Sequence, residues 1–567
     1  MLLILLSWIF VFATTLVIGT SASRIFRLQV KNSIPTILFG CFGITLLAGF
    51  WAIFAPINQL FSTFLFILTT SLFFVNKASI FDKIKQFKNS FSSLNVVFKI
   101  ALIVTTLLIL AKCASAPFIV DNETYYIQTI KWLNQFGFTK GLTNLHPFLG
   151  QTSGWHVLQS GFNFAFITNN LNDLSGFMLL LGNIYAIEKL NSYYNQTAKN
   201  RMDLVIGLFP VFNVFLFQFI GAPSPDIAIY VIGIIVFYEF LSCYKQYNMH
   251  SFYAVFILSV FATFIKLTGL VFFVFALILY FYYFIYTRRK TKGLLVVSLV
   301  TFILFIVKNT IITGHPLYPL PISFLQQDWS LPNTINIYLS QYETAASYGL
   351  TIDAYNKTSL LKKLLHWVTQ GKLDSIFNTL FLLCITVIPF LFKKFKTNKP
   401  IKIIYFTGIG FLIFLFVFSP QYRFYFPFLM FFLLVITSTI INNKKGVILL
   451  VFIIVLLPVI PLFINVNTSS ITNNTNHQSN GLFSLNYILE PHSNSKYNDA
   501  YNTIKIKNTT IHSLSKGSGL LWETGNAPLP ALSEDQLNYF RTYFNVFPQQ
   551  YSNDLKDGFY SKKVIPK

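Results

Sequence analysis

The sequence predicts an all-α protein that crosses a membrane many times, and three observations carry that prediction. The chain of 567 residues is 54% apolar and only 11% charged, a balance that soluble domains do not have. Its apolar residues come in long runs, among them ILFGCFGITLLAGFWAIF, FSTFLFILTTSLFFV and VFFVFALILYFYYFIY, which approach or match the hydrocarbon thickness of a bilayer. Its Lys and Arg fall in short clusters between those runs, so the formal charge of +23 orients helices by the positive-inside rule rather than marking a nucleic-acid partner.

Taken in order, spans are expected near 2–20, 35–54, 58–75, 99–116, 157–187 (with a break), 203–220, 225–243, 251–266, 269–286, 294–312, 376–392, 401–418, 424–441 and 447–464, about fourteen in all. The first run lacks the basic n-region and the small-residue cleavage site of a secretory signal, so it is read as a span. Basic residues then fall in every second loop: Arg24/Arg27/Lys31, Lys77 to Lys99, Lys189/Lys199/Arg201, Lys245, Arg288/Arg289/Lys290/Lys292, Lys393 to Lys402 and Lys444/Lys445. One topology satisfies them all. It puts the N-terminus outside, together with loops 118–156, 221–224, 313–375 and 419–423 and a tail from about 465. It also requires a turn at Lys266, between two short apolar runs that would otherwise form one long kinked helix. Beyond 465 the chain turns rich in Asn, Ser and Thr and then mixed, with Trp522, Tyr539 and Tyr543, as expected of a linker and a small extracytoplasmic C-terminal domain of α/β or mixed type. The organisation is thus 1–98 N-terminal helices, 99–464 membrane core and 465–567 outer tail. Cys41, Cys113, Cys243 and Cys384 lie in or beside apolar runs at spacings that match no metal motif, and read as packing residues.

The candidate chemistry lies on the outer side. Asp121 and Glu123 stand just past a span and are followed by Tyr125 and Tyr126. A carboxylate there can meet both a soluble acceptor and a lipid head group, which suits a general base; an acidic turn capping the next helix is the alternative. His146, Trp155 and His156 either line a sugar pocket or anchor the interface. Asp226, in GAPSPDIAIY, either faces the same cavity or serves the dipole of its helix. Lys266, in FIKLTGL, needs an interface, a cavity or an anion such as phosphate, with snorkelling as the rival reading. Arg423, in SPQYRFYFP beside Tyr422 and Tyr425, suits a phosphate or pyrophosphate. His315 and Asp328, in and after TGHPLYPLP, are further substrate-binding candidates.

These residues carry a resemblance. An acidic pair in the first large outer loop, many spans, a long late outer loop and an outer C-terminal domain resemble the class C (GT-C fold) glycosyltransferases. More closely, DNETYYIQTIKWLNQFGFTKGLTNLHPFLGQTSGWHVL, PSPDIAIY, TFIKLTGL, TGHPLYPLP followed by QQDW, PQYRF and NAPLP are similar to a bacterial family of polytopic membrane proteins grouped with those enzymes. The resemblance implies a GT-C-like core and transfer of a sugar from a polyprenyl-phosphate or polyprenyl-pyrophosphate donor to a glycan, lipid or protein acceptor, in cell-surface glycan or glycoprotein assembly. The site would be the outer face of a bacterial cytoplasmic membrane. It puts Asp121 in the place of the catalytic carboxylate and Glu123 in that of its partner, as base support or metal ligand, which leaves a divalent cation open as cofactor. By physical argument rather than by motif, Arg423 and Lys266 would meet the donor phosphate, and Tyr125, His146, His156, Asp226 and His315 are the further substrate-binding candidates; one base without an enzymic nucleophile implies inversion. The sequence departs from the class in the three spans ahead of the one leading into the acidic loop, and in Asn122, which splits the pair. The tail, TGNAPLPAL, lacks the cysteine often found there. Two other readings stand beside it: a polysaccharide polymerase or ligase acting on lipid-linked glycan with the same outer Arg and carboxylate, and, from another class, a lipid-sugar flippase. A flippase would place polar residues at the membrane midplane and show related halves, and neither is evident.

Overall fold

The structure is a computed structural model that describes every residue except 26–31, 197–199, 288–290, 321–326, 396–397, 442, 471–477, 479, 498–499, 516–520 and 564–567. Among the described residues, eleven helices are long and apolar enough to cross a membrane: Leu2–Ile25, Ser33–Phe54, Gln59–Ser92, Val96–Ala114, Arg201–Phe219, Pro225–Lys245, Lys292–Thr313, Lys372–Lys394, Lys399–Phe418, Tyr422–Ile440 and Lys444–Phe463. Met249–Ile265 and Leu267–Tyr282 are shorter apolar helices beside them. The expected 157–187 segment is two elements, Gly154–Phe162 and Leu174–Asn195. The second carries Asn183, Glu188, Lys189 and Asn191, which keep its composition too polar to stand with the eleven. Pro225–Lys245 is the most enclosed span, 83% buried, whereas Gln59–Ser92 is only 17% buried and lies at the periphery.

Backbone contact, rather than side-chain bulk, joins the first two spans. A Cβ on Gly40 would stand 1.8 Å from the Thr15 carbonyl oxygen, and one on Gly19 2.0 Å from that of Thr36. Small residues allow such approach between membrane helices, where dispersion contacts drive association.

The turn on which the orientation of everything after it depends is present. Met249–Ile265 ends at Lys266, whose backbone is extended at φ −154°, ψ 133°. The chain then reverses: Gly269 packs on the backbone of Ala262, the Phe256 and Phe273 rings lie 5.0 Å apart, and those of Tyr247 and Tyr283 lie 4.9 Å apart. These pairings run antiparallel along two helices, so Lys266 is a hairpin tip.

As a result the loops sort onto two faces. On one, Arg201 donates to the Lys394 carbonyl at 2.9 Å, Lys444 lies 4.8 Å from the Tyr194 ring, and Arg24 donates to Asn76 at 2.7 Å. This is the basic face, although Arg27, Lys31, Lys199, Arg288, Arg289, Lys290 and Lys396 lie outside the described residues. On the other face, the tail backbone reaches the end of the Val96–Ala114 span, with His492 N–H donating to the Ala114 carbonyl at 2.9 Å. Met1 ammonium donates to the Tyr487 carbonyl there at 2.5 Å.

The segment 118–156 is more ordered than a connecting loop. It holds a π-helical turn Asn122–Tyr126, a helix Ile127–Gln135 and a 3-10 turn Pro147–Gln151. The tail seats on it. Strands Tyr501–Ile506 and Thr509–Leu514 form one antiparallel hairpin, Val546–Gln550 and Phe559–Lys563 another, and helix Glu534–Phe544 lies between them in sequence. Gln128 donates to the carbonyls of Gly525 and Ala527, both at 3.0 Å. Lys131 donates to those of Asn526 and Ala527 at 2.8 and 2.9 Å. The NAPLP segment is therefore a clamp on the first loop. All four cysteines are buried and free.

Gly40→Ala should lower the thermal unfolding midpoint in detergent by an amount corresponding to about 1–3 kcal/mol, because the two backbones must part. Gly410→Ala, which would meet nothing within 4 Å, is the matched control. Equal midpoints for the two variants would refute the close packing of the first two spans.

Candidate functional site

Four charged side chains, each from the end of a different membrane helix or the segment just past one, meet on the face that carries the tail. Asp121 follows the Val96–Ala114 span and precedes the π-helical turn. Asp226 is in the first turn of Pro225–Lys245, behind a proline that needs no helical donor, so its charge complements the helix dipole. Lys266 caps the C-terminus of Met249–Ile265, where a cation is favoured for the same reason. Arg423 is different: it lies in the first turn of Tyr422–Ile440, the end at which the dipole opposes a cation. Its stability there comes from its partners.

Those partners form a chain. Lys266 Nζ is 2.5 Å from Asp226 Oδ1, Arg423 Nη1 is 2.8 Å from Asp121 Oδ2, and the same Nη1 is 3.8 Å from Asp226 Oδ2. Arg423 Nη2 also donates to Gln421 Oε1 at 3.2 Å, and Lys266 lies 4.9 Å from the Phe424 ring. Asp226 is nearly fully enclosed, with its side chain 2% exposed, while Asp121, Lys266 and Arg423 keep about a quarter of theirs accessible, at 27%, 27% and 28%. Two cations therefore face two carboxylates at the mouth of the bundle, and Asp226 Oδ2 accepts no hydrogen bond.

The surrounding shell contains the two tyrosines next to the acidic pair and two residues that sequence reasoning did not single out, Gln151 and Glu343. Tyr126 hydroxyl points at Asp121 Oδ2 from 3.4 Å, so both contacts of Asp121 fall on one oxygen. Tyr125, expected to bind substrate, stacks edge-on against Tyr126 at 4.7 Å and reaches Gln151 at 3.4 Å. Gln151 in turn donates to Glu343 Oε1 at 3.3 Å. Burial raises the Glu343 carboxyl above its ordinary range, while the positive fields of Arg423 and Lys266 oppose that shift, which places Glu343 within electrostatic reach of the chain. Its signal in the sequence was scarcity: the chain has only 19 acidic residues, and one set in a long loop on the site face merits inspection.

Other expected residues are placed elsewhere. Glu123 does not join Asp121: its carboxylate accepts from Ser495 hydroxyl at 2.7 Å, from Lys496 N–H at 2.9 Å and from Asn122 at 3.0 Å. Its carbonyl accepts from the N–H groups of Thr524 and Gly525 at 3.0 and 2.8 Å. The helical turn rotates it toward the tail, so it acts as a staple rather than as support for a base. His146 is buried, accepts from Phe148 N–H at Nδ1 and so donates through Nε2 to the Trp522 carbonyl at 3.0 Å. His156 is buried as the closing residue of a capping box with Ser153, its ring 4.9 Å from that of Tyr126. Burial lowers His146 to about 4 and His156 to about 3, so both are neutral at physiological pH and offer no charge to a phosphate. His315 is buried against the Leu331 carbonyl, 3.1 Å away, and fixes the loop that contains it. Asp328 pairs with the Tyr551 hydroxyl of the tail. The histidines thus tie loops together, and Arg423, Lys266, Asp226 and Asp121 are the candidates that converge. With Glu123 turned away, no three His, Cys, Asp or Glu side chains come together as a ligand set among the described residues.

A family defined as a domain of unknown function, DUF8201, matches residues 1–430. The chain belongs to the DUF8201 family. The match includes every member of the ion-pair chain and Glu343, but ends before Ser495, Lys496, Trp522 and Thr524, so the tail that clasps the first loop lies beyond it. No curated protein and no solved structure matches the chain.

Two predictions follow from these contacts. Lys266→Met leaves Asp226 enclosed with its nearest cation 3.8 Å away, which should cost about 3–5 kcal/mol. Asp226→Asn in the same chain should recover most of that loss, measured as thermal unfolding in nanodiscs; no recovery would deny the pairing. The second concerns Glu123, whose carboxyl burial raises above its ordinary 4.5 against the pull of three donors. A raised value means that tail docking takes up a proton. Its contribution is complete below 4.5 and is lost as pH rises through the raised value. Limited proteolysis of the tail should therefore accelerate from acid to neutral pH in the wild type, and Glu123→Gln should flatten that dependence.

Proposed function

We propose that this protein is a glycosyltransferase that moves a sugar from a polyprenyl-phosphate or polyprenyl-pyrophosphate donor to an acceptor at the outer face of the cytoplasmic membrane, with inversion. The observation that supports this reading best is the Lys266–Asp226–Arg423–Asp121 chain at the ends of membrane helices. A lipid-linked phosphate stays at the height of the membrane surface, and the same height holds two cations beside a partly exposed carboxylate. The GT-C-like arrangement of the sequence points the same way, and the segregation of basic loops to the opposite face supports an outer location.

In this reading Arg423 and Lys266 take the donor phosphate, and the carboxylates that hold them in its absence are released in part. Arg423 offers a planar fork suited to two phosphate oxygens. Asp121 keeps Oδ1 clear of both Arg423 and Tyr126, and that oxygen accepts the proton of the acceptor hydroxyl or amine. The acceptor heteroatom forms its bond to the anomeric carbon from the face opposite the phosphate. The bond from that carbon to the phosphate oxygen breaks, its electron pair stays on the phosphate, and the two cations stabilise the charge that develops. Asp226 positions both cations.

Purified protein in lipid vesicles, offered a panel of polyprenyl-linked sugars, should transfer sugar, and Asp121→Asn should lower the rate about 10²–10⁴-fold with donor binding retained. Unchanged transfer by the variant would remove Asp121 as the base. Absence of transfer by the wild type on every donor would overturn the assignment.

A further inference from the structure

The helix Leu360–Thr369, LLKKLLHWVT, lies in the segment between the Lys292–Thr313 and Lys372–Lys394 spans, on the face of the candidate site. At about 100° per residue, Leu360, Leu364, Val368, Leu361 and Leu365 form one apolar stripe about 140° wide. Lys362, His366 and Lys363 occupy the opposite side. Leu360, Leu361 and Leu365 are 69%, 79% and 62% exposed, an apolar surface that water would penalise.

What covers this stripe is indicated by its continuity. The helix turns at Gly371 into Lys372–Leu391, a membrane span, and the two are fastened together: Ser375 hydroxyl donates to the Val368 carbonyl at 2.8 Å and Asn378 to the Trp367 carbonyl at 2.6 Å. That span presents Ile376, Leu383 and Phe390, seven residues apart and 51%, 54% and 82% exposed, as a lipid-facing row. The exposed leucine stripe is thus joined across Gly371, and by these two bonds, to a span that carries an exposed apolar row of its own. Lys362 and His366 are exposed on the flank away from it, and Lys363 is drawn over the Tyr355 ring at 3.6 Å. This is the pattern of a helix lying in the plane of the interface, with apolar residues in the acyl chains and bases at the phosphates.

Trp367, on the edge between the two sides, is fully buried. Its indole N–H donates to the Pro420 carbonyl at 2.7 Å, its ring packs 4.9 Å from Phe416 and 6.2 Å from Tyr425, and Tyr425 hydroxyl bonds Asn378. Pro420 and Tyr425 bracket Arg423 in sequence. We propose that Leu360–Thr369 is an interfacial helix that binds the phospholipid surface, its leucine face in the acyl chains and Lys362 at the head groups, and that through Trp367 it fixes the segment carrying Arg423. The binding partner is the lipid leaflet itself, and the inference does not depend on sugar transfer.

Nitroxide labels on Leu361→Cys, Leu365→Cys and, as the polar-side reference, Lys362→Cys test it in the full chain, since the four native cysteines are buried. In vesicles of phosphatidylethanolamine and phosphatidylglycerol, labels at 361 and 365 should collide several-fold more with oxygen, relative to a water-soluble nickel chelate, than the label at 362. Leu360→Cys replaces either leucine variant that fails to fold. Equal nickel accessibility at all three positions would overturn the proposal, and is also what a stripe reserved for another protein would give in vesicles that contain only this one. Labels at 361 and 365 shielded from both reagents would overturn it in favour of a second copy of the chain.

Discussion

The arrangement of this bundle turns on the placement of Arg423. A guanidinium in the first turn of a helix opposes the dipole of that helix, and partial enclosure withholds much of the water that would compensate. The charge is therefore held by Asp121 at 2.8 Å and by Asp226 at 3.8 Å. Asp226, the most enclosed of the four, would be costly with one distant cation, and Lys266 supplies the close one. Each charge is thus tolerable only because of the next. The chain of pairs fixes where four segments end relative to one another: the residue past the fourth span, the tip of a short hairpin, and the starts of the most enclosed span and of the Arg423 helix.

The two-faced organisation was legible in the sequence because it follows from charge counts in loops, which need no tertiary information. The reversal at Lys266, which the loop charges require, is a hairpin held by Gly269 against Ala262 and by two aromatic pairs; Gly269, the small residue of FIKLTGL, is what allows the close approach. The span count was less legible. Composition cannot distinguish a long helix from two short ones, and the 157–187 segment divides into separate helices with polar residues in the second.

The candidate site was legible in its charges and not in its neutral groups. Asp121, Asp226, Lys266 and Arg423 were visible because ionisable residues at a membrane boundary are expensive and therefore informative. The histidines gave no such signal: buried imidazoles make good hydrogen-bonding groups, and His146, His156 and His315 each hold a loop or cap contact. Glu123 could not be assigned by spacing alone. In a regular α-helix, residues two apart point away from each other, and in this π-helical turn the result is one carboxylate for the ion-pair chain and one for the tail.

That divergence has a mechanical consequence. Asp121 and Glu123 are separated by a single residue at the start of the π-helical turn, yet one is tied to the membrane helices through Arg423 and the other to residues almost four hundred positions away in the chain, at Ser495 and Lys496. The turn is the fulcrum of a short lever. A displacement of the tail pulls on Glu123, and because so little chain separates the two carboxylates, there is almost no slack to absorb the motion before it reaches Asp121.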